Sequence, residues 1–381
     1  MSTSTSVRSV PASAAVAGPI HPKRRRLYRA VTLSGVLLVS LAFCEVALRV
    51  RERLLLATEG PRTWAGDYDA YLKASHSGDR MFLRDPSDVV VPYRNRPGFR
   101  HEFALPSGQE WRCTINALGF RGPEFTIAKP AGVRRVLCVG GSTTFWGYRD
   151  GLTYPAMLSR RLNANGASPI EVLNLGVSGY TSAMNAERFH REYRGFSPDV
   201  VVLYEGVNDI CDLAPARYRH RIARSLLLAT VSNLATGWCE GGEGAHLATI
   251  VAQSFKTRVA PQLDRILEET RQVGARLLIS TFPGPDLSRL SADERRFLDA
   301  ELYRSWRELG SLESYAAALS AYNQKVREWA AAHAVAVIDL ERAVQGTTDL
   351  FMDICHLHTN GLERVAEAAA EAITAAEALP N

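Results

Sequence analysis

Five short apolar runs alternate with helix-like stretches from Arg134 onward, and this alternation constrains the fold more than any other feature of the chain. The runs are Arg135–Val139, Ile170–Leu175, Asp199–Tyr204, Arg276–Phe282 and Val335–Leu340. Between and after them lie Tyr154–Asn165, Thr181–Tyr193, Ala248–Val273, Ser311–Ala332 and Gly361–Glu377, which read as helices. Strands that are apolar on both faces and separated by helical crossovers belong to a parallel sheet covered on both sides. The expected fold is therefore an α/β, three-layer α/β/α sandwich: a flavodoxin-like, doubly wound parallel sheet of about five strands. Long inserts follow the third run (Cys211–Gly244) and the fourth (Gly284–Gly310). Both leave carboxyl edges and are placed to wall a cleft.

The first run ends in Gly140-Gly141-Ser142-Thr143. A strand that stops at two glycines presents the next side chain at the carboxyl edge of the sheet, where open α/β folds bind ligands. Three more polar clusters follow strand ends: Asn174-Leu-Gly-Val-Ser-Gly179, Glu205-Gly206-Val207-Asn208-Asp209 and Asp353-Ile-Cys-His356-Leu-His358. Each has a bland use. Ser142 can cap a helix, the glycines can make turns, Asn208-Asp209 is a common turn pair, and either histidine can lie on the surface. Together at four strand ends they supply what acyl transfer needs. A serine hydroxyl needs a base, a histidine base needs a carboxylate to fix its tautomer, and the tetrahedral intermediate needs donors for its oxyanion. Asp353 and His356 are three residues apart, so one short loop can pair them and leave the other ring nitrogen for Ser142. The candidate donors are the backbone N–H groups of Ser142 and Gly179 and the side-chain amide of Asn208. His358 is the rival base and Asp349 the rival carboxylate.

These four ordered blocks resemble the SGNH hydrolase superfamily, the GDSL-type esterases and lipases, over the chain from about Arg134 to the C-terminus. The resemblance implies a catalytic Ser142, Asp353 and His356 and an oxyanion hole of Ser142, Gly179 and Asn208. It also implies ester hydrolysis without a metal or an organic cofactor. Gly141 stands where the name-giving motif has aspartate, a change expected to affect only local turn packing. The family's substrates include lipid esters, short acyl esters and carbohydrate O-acetyl groups. A membrane-tethered, exported enzyme with polar cleft walls suits acetyl esters of a cell-surface glycan. An O-acyltransferase with the same triad, a non-catalytic glycan-binding or assembly protein, and a lipase or lysophospholipase are the alternatives. A phosphate-binding loop is excluded, since both Gly-x-Gly-x-x-Gly and Gly-Lys-Ser/Thr are absent after the first strand.

The region before Arg134 has a different texture. Residues 1–29 lack periodicity and read as a disordered basic cytoplasmic tail. Of the chain's 45 bases, six lie in residues 1–30, leaving 39 against 40 acids. The body is therefore balanced, and nucleic acid is not an expected partner. Ala30–Leu48 carries one charge, Glu45. As a helix it reaches about 28 Å, enough for a bilayer core. An anchor over residues 30–50 is expected, with the N-terminus in the cytoplasm and the body periplasmic or extracellular. Arg49, Arg51 and Arg53 on the far side oppose that charge asymmetry. A cleaved signal is disfavoured by the long polar leader, by the lack of an Ala-x-Ala site and by Phe43 before Cys44. Residues 60–130 read as a small β-rich lead-in with strands at Val89–Tyr93, His101–Ala104 and Glu110–Ile115 and a turn at Asn116–Gly122. It is expected to pack on the main domain, residues 134–381, as a stalk, the alternative being a lid. In an exported body, Cys113, Cys211, Cys239 and Cys355 are available to pair, with three connectivities open.

Overall fold

The computed structural model describes residues 22–57, 81–105, 108–164, 166, 169–214 and 243–377. Its centre is a five-stranded parallel sheet of β5 (Arg134–Gly140), β6 (Ile170–Asn174), β7 (Val200–Tyr204), β8 (Arg276–Ser280) and β9 (Ala336–Ile338). The strand order is β6-β5-β7-β8-β9. Register places Leu137 of β5 between Leu173 of β6 and Val201 of β7. All five residues of β7 are buried, as a strand covered on both faces requires. Helices supply the covering. Tyr154–Leu162 packs on the last helix, Thr359–Glu377; Ser182–Arg191 packs on Ala260–Gln272; and Glu243–Ser254 packs on Leu312–His333. The expected fold and each of its five strands are thus present. The helix expected over Ala248–Val273 runs from Glu243 to Gln272, with a π-helical turn at Phe255–Val259. Because the order reverses at β5, the connections leave β5 and β7 toward opposite sides, which opens a crevice at the carboxyl ends of these two strands.

The lead-in forms two antiparallel pairs, β1 (Phe82–Arg84) with β2 (Tyr93–Asn95) and β3 (Arg100–Ala104) with β4 (Glu110–Thr114). The strand expected at Val89–Tyr93 forms only from Tyr93, where β2 begins. Asp85 and Asp88 accept from the backbone N–H groups of Ser87, Val90 and Val91, which winds the segment into turns, and Pro92 has no N–H to give a ladder. β1 went unnoticed because three residues give too little alternation to read.

Trp111, Cys113, Ile115 and Phe120 of the lead-in join the same apolar core as the sheet. Two buried arginines lock the seam. Arg121 donates to the carbonyls of Phe145, Gly147 and Arg112 at 2.8–2.9 Å and to Asp150 at 3.0 Å. Arg135 of β5 reaches the other way, to the carbonyls of Thr126 and Ile127 at 2.8 Å. A guanidinium has five donors in a fixed fork, so one side chain can bind several carbonyls of an irregular segment.

Helix α1 (Pro22–Ala57) precedes the lead-in and contains Arg26–Val50, 25 residues of mean hydropathy 2.1 with none of its apolar stretch buried. By length and composition it is able to cross a bilayer. Glu45 is paired with Arg49 one turn on, which lowers the cost of a carboxylate near the end of such a span. Among the described residues no disulfide joins Cys113, Cys211 and Cys355; Cys239 lies outside the described residues, as do the tail before residue 22 and most of the insert after β7.

Candidate active site

Ser142 is the first residue of a short helix, Ser142–Phe145, that starts directly after β5. Gly141, not Ser142, occupies the cap position, so the serine is not spent on capping. Space is tight at both glycines before it, against backbone at Gly140 and against a side-chain end at Gly141. A β-carbon on Gly140 would lie 2.4 Å from the Tyr204 carbonyl oxygen, and one on Gly141 would lie 2.6 Å from Nδ2 of Asn208. Asn208 Nδ2, at the end of its side chain, thus lies directly over Gly141, the position at which the family's motif has aspartate.

His356 lies across the crevice, with Nε2 2.8 Å from Ser142 Oγ and Nδ1 2.6 Å from Asp353 Oδ2. The network assigns the tautomer. Nδ1–H donates to the carboxylate, and Nε2 is left to accept from the serine hydroxyl. Asp353 is fully buried and His356 is 4% exposed. The other oxygen of Asp353 accepts from the backbone N–H groups of Cys355 and His356, both at 2.7 Å. Burial alone would push this carboxyl up. The nearby His356 and these hydrogen bonds outweigh burial and hold it below the ordinary value, hence ionised.

Asn208 and Gly179 close the other side. Asn208 Nδ2 donates to the Tyr180 carbonyl at 2.8 Å, and its second amide hydrogen is unspent in that bond. Gly179 has φ of +82°, a backbone state that glycine adopts without strain. Neither the Ser142 nor the Gly179 N–H has an acceptor among the described residues. Asp209, next to Asn208 in the short helix Val207–Leu213, accepts from the backbone N–H and hydroxyl of Ser182 and from the Tyr322 hydroxyl, pinning this helix to two others. Glu205 is buried below and accepts from Asn185 Nδ2. Burial, and then the proximity of Asp209, pushes its carboxyl well above the ordinary range, so it is a neutral acid here.

The structure thus brings Ser142, Asp353, His356 and Asn208 together, with Gly179 on the loop that Asn208 binds. The rivals are engaged elsewhere. His358 Nδ1 is 3.1 Å from the Tyr148 hydroxyl and the two rings stack; Asp349 accepts from Thr347 N–H and Oγ1. Two tryptophans went unnoticed in the sequence. Trp146, fully buried, donates to the Leu357 carbonyl at 2.9 Å, and half-buried Trp306 sits on the insert after β8. Each ring centre is 6.1 Å from that of His356. The walls beside the histidine are therefore aromatic rather than polar. Trp146 followed the serine by only four residues and was the more readable signal; Trp306 reaches the site only through folding of the insert.

Asp353, Cys355 and His356 put three ligand-type atoms within 4.8 Å of one another. The Asp353 oxygens and His356 Nδ1 are already bonded to one another and to backbone. Burial, with Asp353 beside it, pushes the Cys355 thiol well up, so it is a neutral thiol and a poor ligand. The donor set suits a proton network better than a cation.

No curated protein matches the chain. Among solved structures, the lipase/acylhydrolase of Enterococcus faecalis is similar at 17% identity, with 64% of this chain and 96% of that one covered and a TM-score of 0.39. A GDSL-like lipase of Bacteroides thetaiotaomicron is similar at 14% identity (64% and 89% covered, TM-score 0.37). An acetyl-xylooligosaccharide esterase of Geobacillus stearmophilus is similar at 16% identity (63% and 94% covered, TM-score 0.42). The model of the GDSL-like lipase/acylhydrolase family matches residues 138–363, more than half of the chain and the whole stretch from β5 to the last helix. The chain accordingly belongs to the GDSL-like lipase/acylhydrolase family and is an ester-hydrolysing enzyme.

Proposed function

We propose that the chain is a serine esterase acting through an acyl-serine intermediate, with Ser142 as nucleophile, His356 as base and Asp353 as its orienting carboxylate. The observation that carries this is the unbroken chain of short contacts from Ser142 Oγ through His356 to buried, ionised Asp353. Ser142 Oγ attacks the ester carbonyl carbon while His356 Nε2 takes its proton. The carbonyl oxygen becomes an oxyanion, which accepts hydrogen bonds from the N–H groups of Ser142 and Gly179 and from Asn208 Nδ2. The C–O bond to the alcohol then breaks, and His356 returns its proton to the leaving oxygen. Water, deprotonated by the same histidine, releases the acid and regenerates the serine.

For the substrate, an O-acetyl ester of a cell-surface glycan fits best. Trp306 offers a partly open indole beside His356 on which the apolar face of a sugar ring can pack. The basic cluster before the apolar helix favours a cytoplasmic N-terminus and an exported catalytic body held at the membrane. The test is an ester panel and a fluorophosphonate probe applied to the full chain in detergent, beside Ser142→Ala. The wild type should label and turn over short acyl esters, and the variant should do neither. Labelling that survives the substitution would sink the assignment of Ser142.

A further inference from the structure

The lead-in does more than pack. Its strand β2 lies along the Gly176–Tyr180 loop and makes three hydrogen bonds to it. Asn95 Nδ2 donates to the Gly176 carbonyl at 3.1 Å, the Tyr93 hydroxyl donates to the Ser178 carbonyl at 2.9 Å, and the Tyr180 hydroxyl donates to the Tyr93 carbonyl at 2.5 Å. Tyr93 Oη sits so close over Gly179 that a β-carbon there would lie 2.5 Å from it.

The middle bond has a geometric consequence. The Ser178 C=O and the Gly179 N–H are the two ends of one planar, trans peptide unit, and they point in opposite directions. A donor that holds the carbonyl holds the aim of the N–H. Gly179 needs such a hold more than other residues do, because it has no side chain and its own φ is only weakly restricted. The same bond polarises the amide and makes its N–H a stronger donor. Burial pushes the Tyr93 phenol up to about 12, so it remains a donor across the range in which a histidine base works. Tyr180 extends the effect: its hydroxyl is tied to Tyr93 and its carbonyl receives Asn208 Nδ2.

Resting on the assignment of Gly179 and Asn208 as oxyanion donors, we infer that Tyr93 is a positioning residue of the oxyanion hole, supplied by the lead-in rather than by the sheet domain. It does not touch the reacting atoms. It fixes the Ser178–Gly179 peptide so that the N–H faces the site before substrate arrives, and through Tyr180 it steadies the Asn208 amide.

The variant that isolates this role is Tyr93→Phe, which keeps the ring packed on Phe82 and Tyr180 and removes only the donor. In the full chain, kcat should fall about tenfold, part of the 10²–10³ lost with a whole oxyanion donor, while KM stays within about twofold. Affinity for a boronic acid, whose tetrahedral adduct on serine carries the oxyanion, should fall by the same factor as kcat. Lys129→Met breaks an ion pair with Asp199 elsewhere on the lead-in and should cost stability without changing kcat. A fluorinated tyrosine at position 93 retains the fold and brings phenol ionisation into the assay range. Its kcat should drop as pH rises through that ionisation, with KM level. Unchanged kcat in Tyr93→Phe, or no drop for the fluorinated residue, overturns the inference. Ser142→Ala in the same assay separates the two levels. Loss in Ser142→Ala with none in Tyr93→Phe refutes only the role of Tyr93, whereas turnover retained by Ser142→Ala refutes the triad on which it rests.

Discussion

The Ser142 hydroxyl lies 2.8 Å from Nε2 of His356 although 214 positions separate them in the chain. The two residues leave different strands at the same edge of the sheet. Helix Ser142–Phe145 sets one, and the loop before the last helix sets the other. The pair is thus within hydrogen-bond distance without a substrate to assemble it.

Replacing either residue should act on chemistry and not on folding. Ser142→Ala and His356→Ala should each lower kcat by about 10⁴-fold or more, and the double variant should lose little beyond either. Single-turnover kinetics with an activated acetyl ester, beside thermal unfolding of the same samples, checks this. Additive losses would contradict a shared mechanism.

Restoring the family's aspartate should harm this enzyme. In Gly141→Asp the new β-carbon meets Asn208 Nδ2 at 2.6 Å, so the amide must turn away. A loss of about 10²-fold in kcat is expected, as for removal of one oxyanion donor. A variant as active as the wild type would show that Asn208 does not work from the position seen here.

Glu205 makes stability fall as pH rises. Its folded pKa is raised, so its contribution is fully present below the unfolded value, about 4.3, and is lost as pH climbs toward the folded value. In that window the unfolded carboxyl ionises and the folded one cannot, at about 1.4 kcal/mol per pH unit. Asp353 has the opposite sign: its depressed folded pKa gives stability above the ordinary carboxylate range that is lost in acid. Urea unfolding of wild type and Glu205→Gln between pH 4 and pH 8 measures the first effect. The wild-type curve should decline more steeply, and parallel curves would refute it.

Arg121 joins the lead-in to the loop that follows Ser142. Arg121→Ala leaves the carbonyls of Phe145 and Gly147 buried without a donor, and should cost about 3–5 kcal/mol of stability. Because Phe145 ends the helix that begins at Ser142, kcat should fall as well. Denaturant midpoints and turnover on the same preparation report both, and a loss below about 1 kcal/mol would mean that water replaces the guanidinium.

How much of this was readable in the chain follows the range of the interactions involved. Strands β5 to β9 were legible because a strand buried on both faces must be apolar throughout, and Val200–Tyr204 is. The four polar clusters were legible because parallel topology sends every strand's carboxyl end to one edge. Val89–Tyr93 misled because its apolar residues looked like a strand, whereas the side chains of Asp85 and Asp88 bind the local backbone and win.

Sequence by itself determined the sheet, the apolar helix and the four polar clusters at the strand ends, since periodicity and residue chemistry are carried locally. Tertiary structure decided the rest. It chose His356 over His358 by turning the latter to Tyr148, set Trp306 beside the histidine, and brought Tyr93 onto the Ser178–Gly179 peptide from 85 positions away. No local pattern encodes such contacts. They exist only because the lead-in packs on the sheet domain twice, in the main core and in a small cluster of Val91, Val177 and Tyr180 that seats Tyr93 over a glycine of that domain.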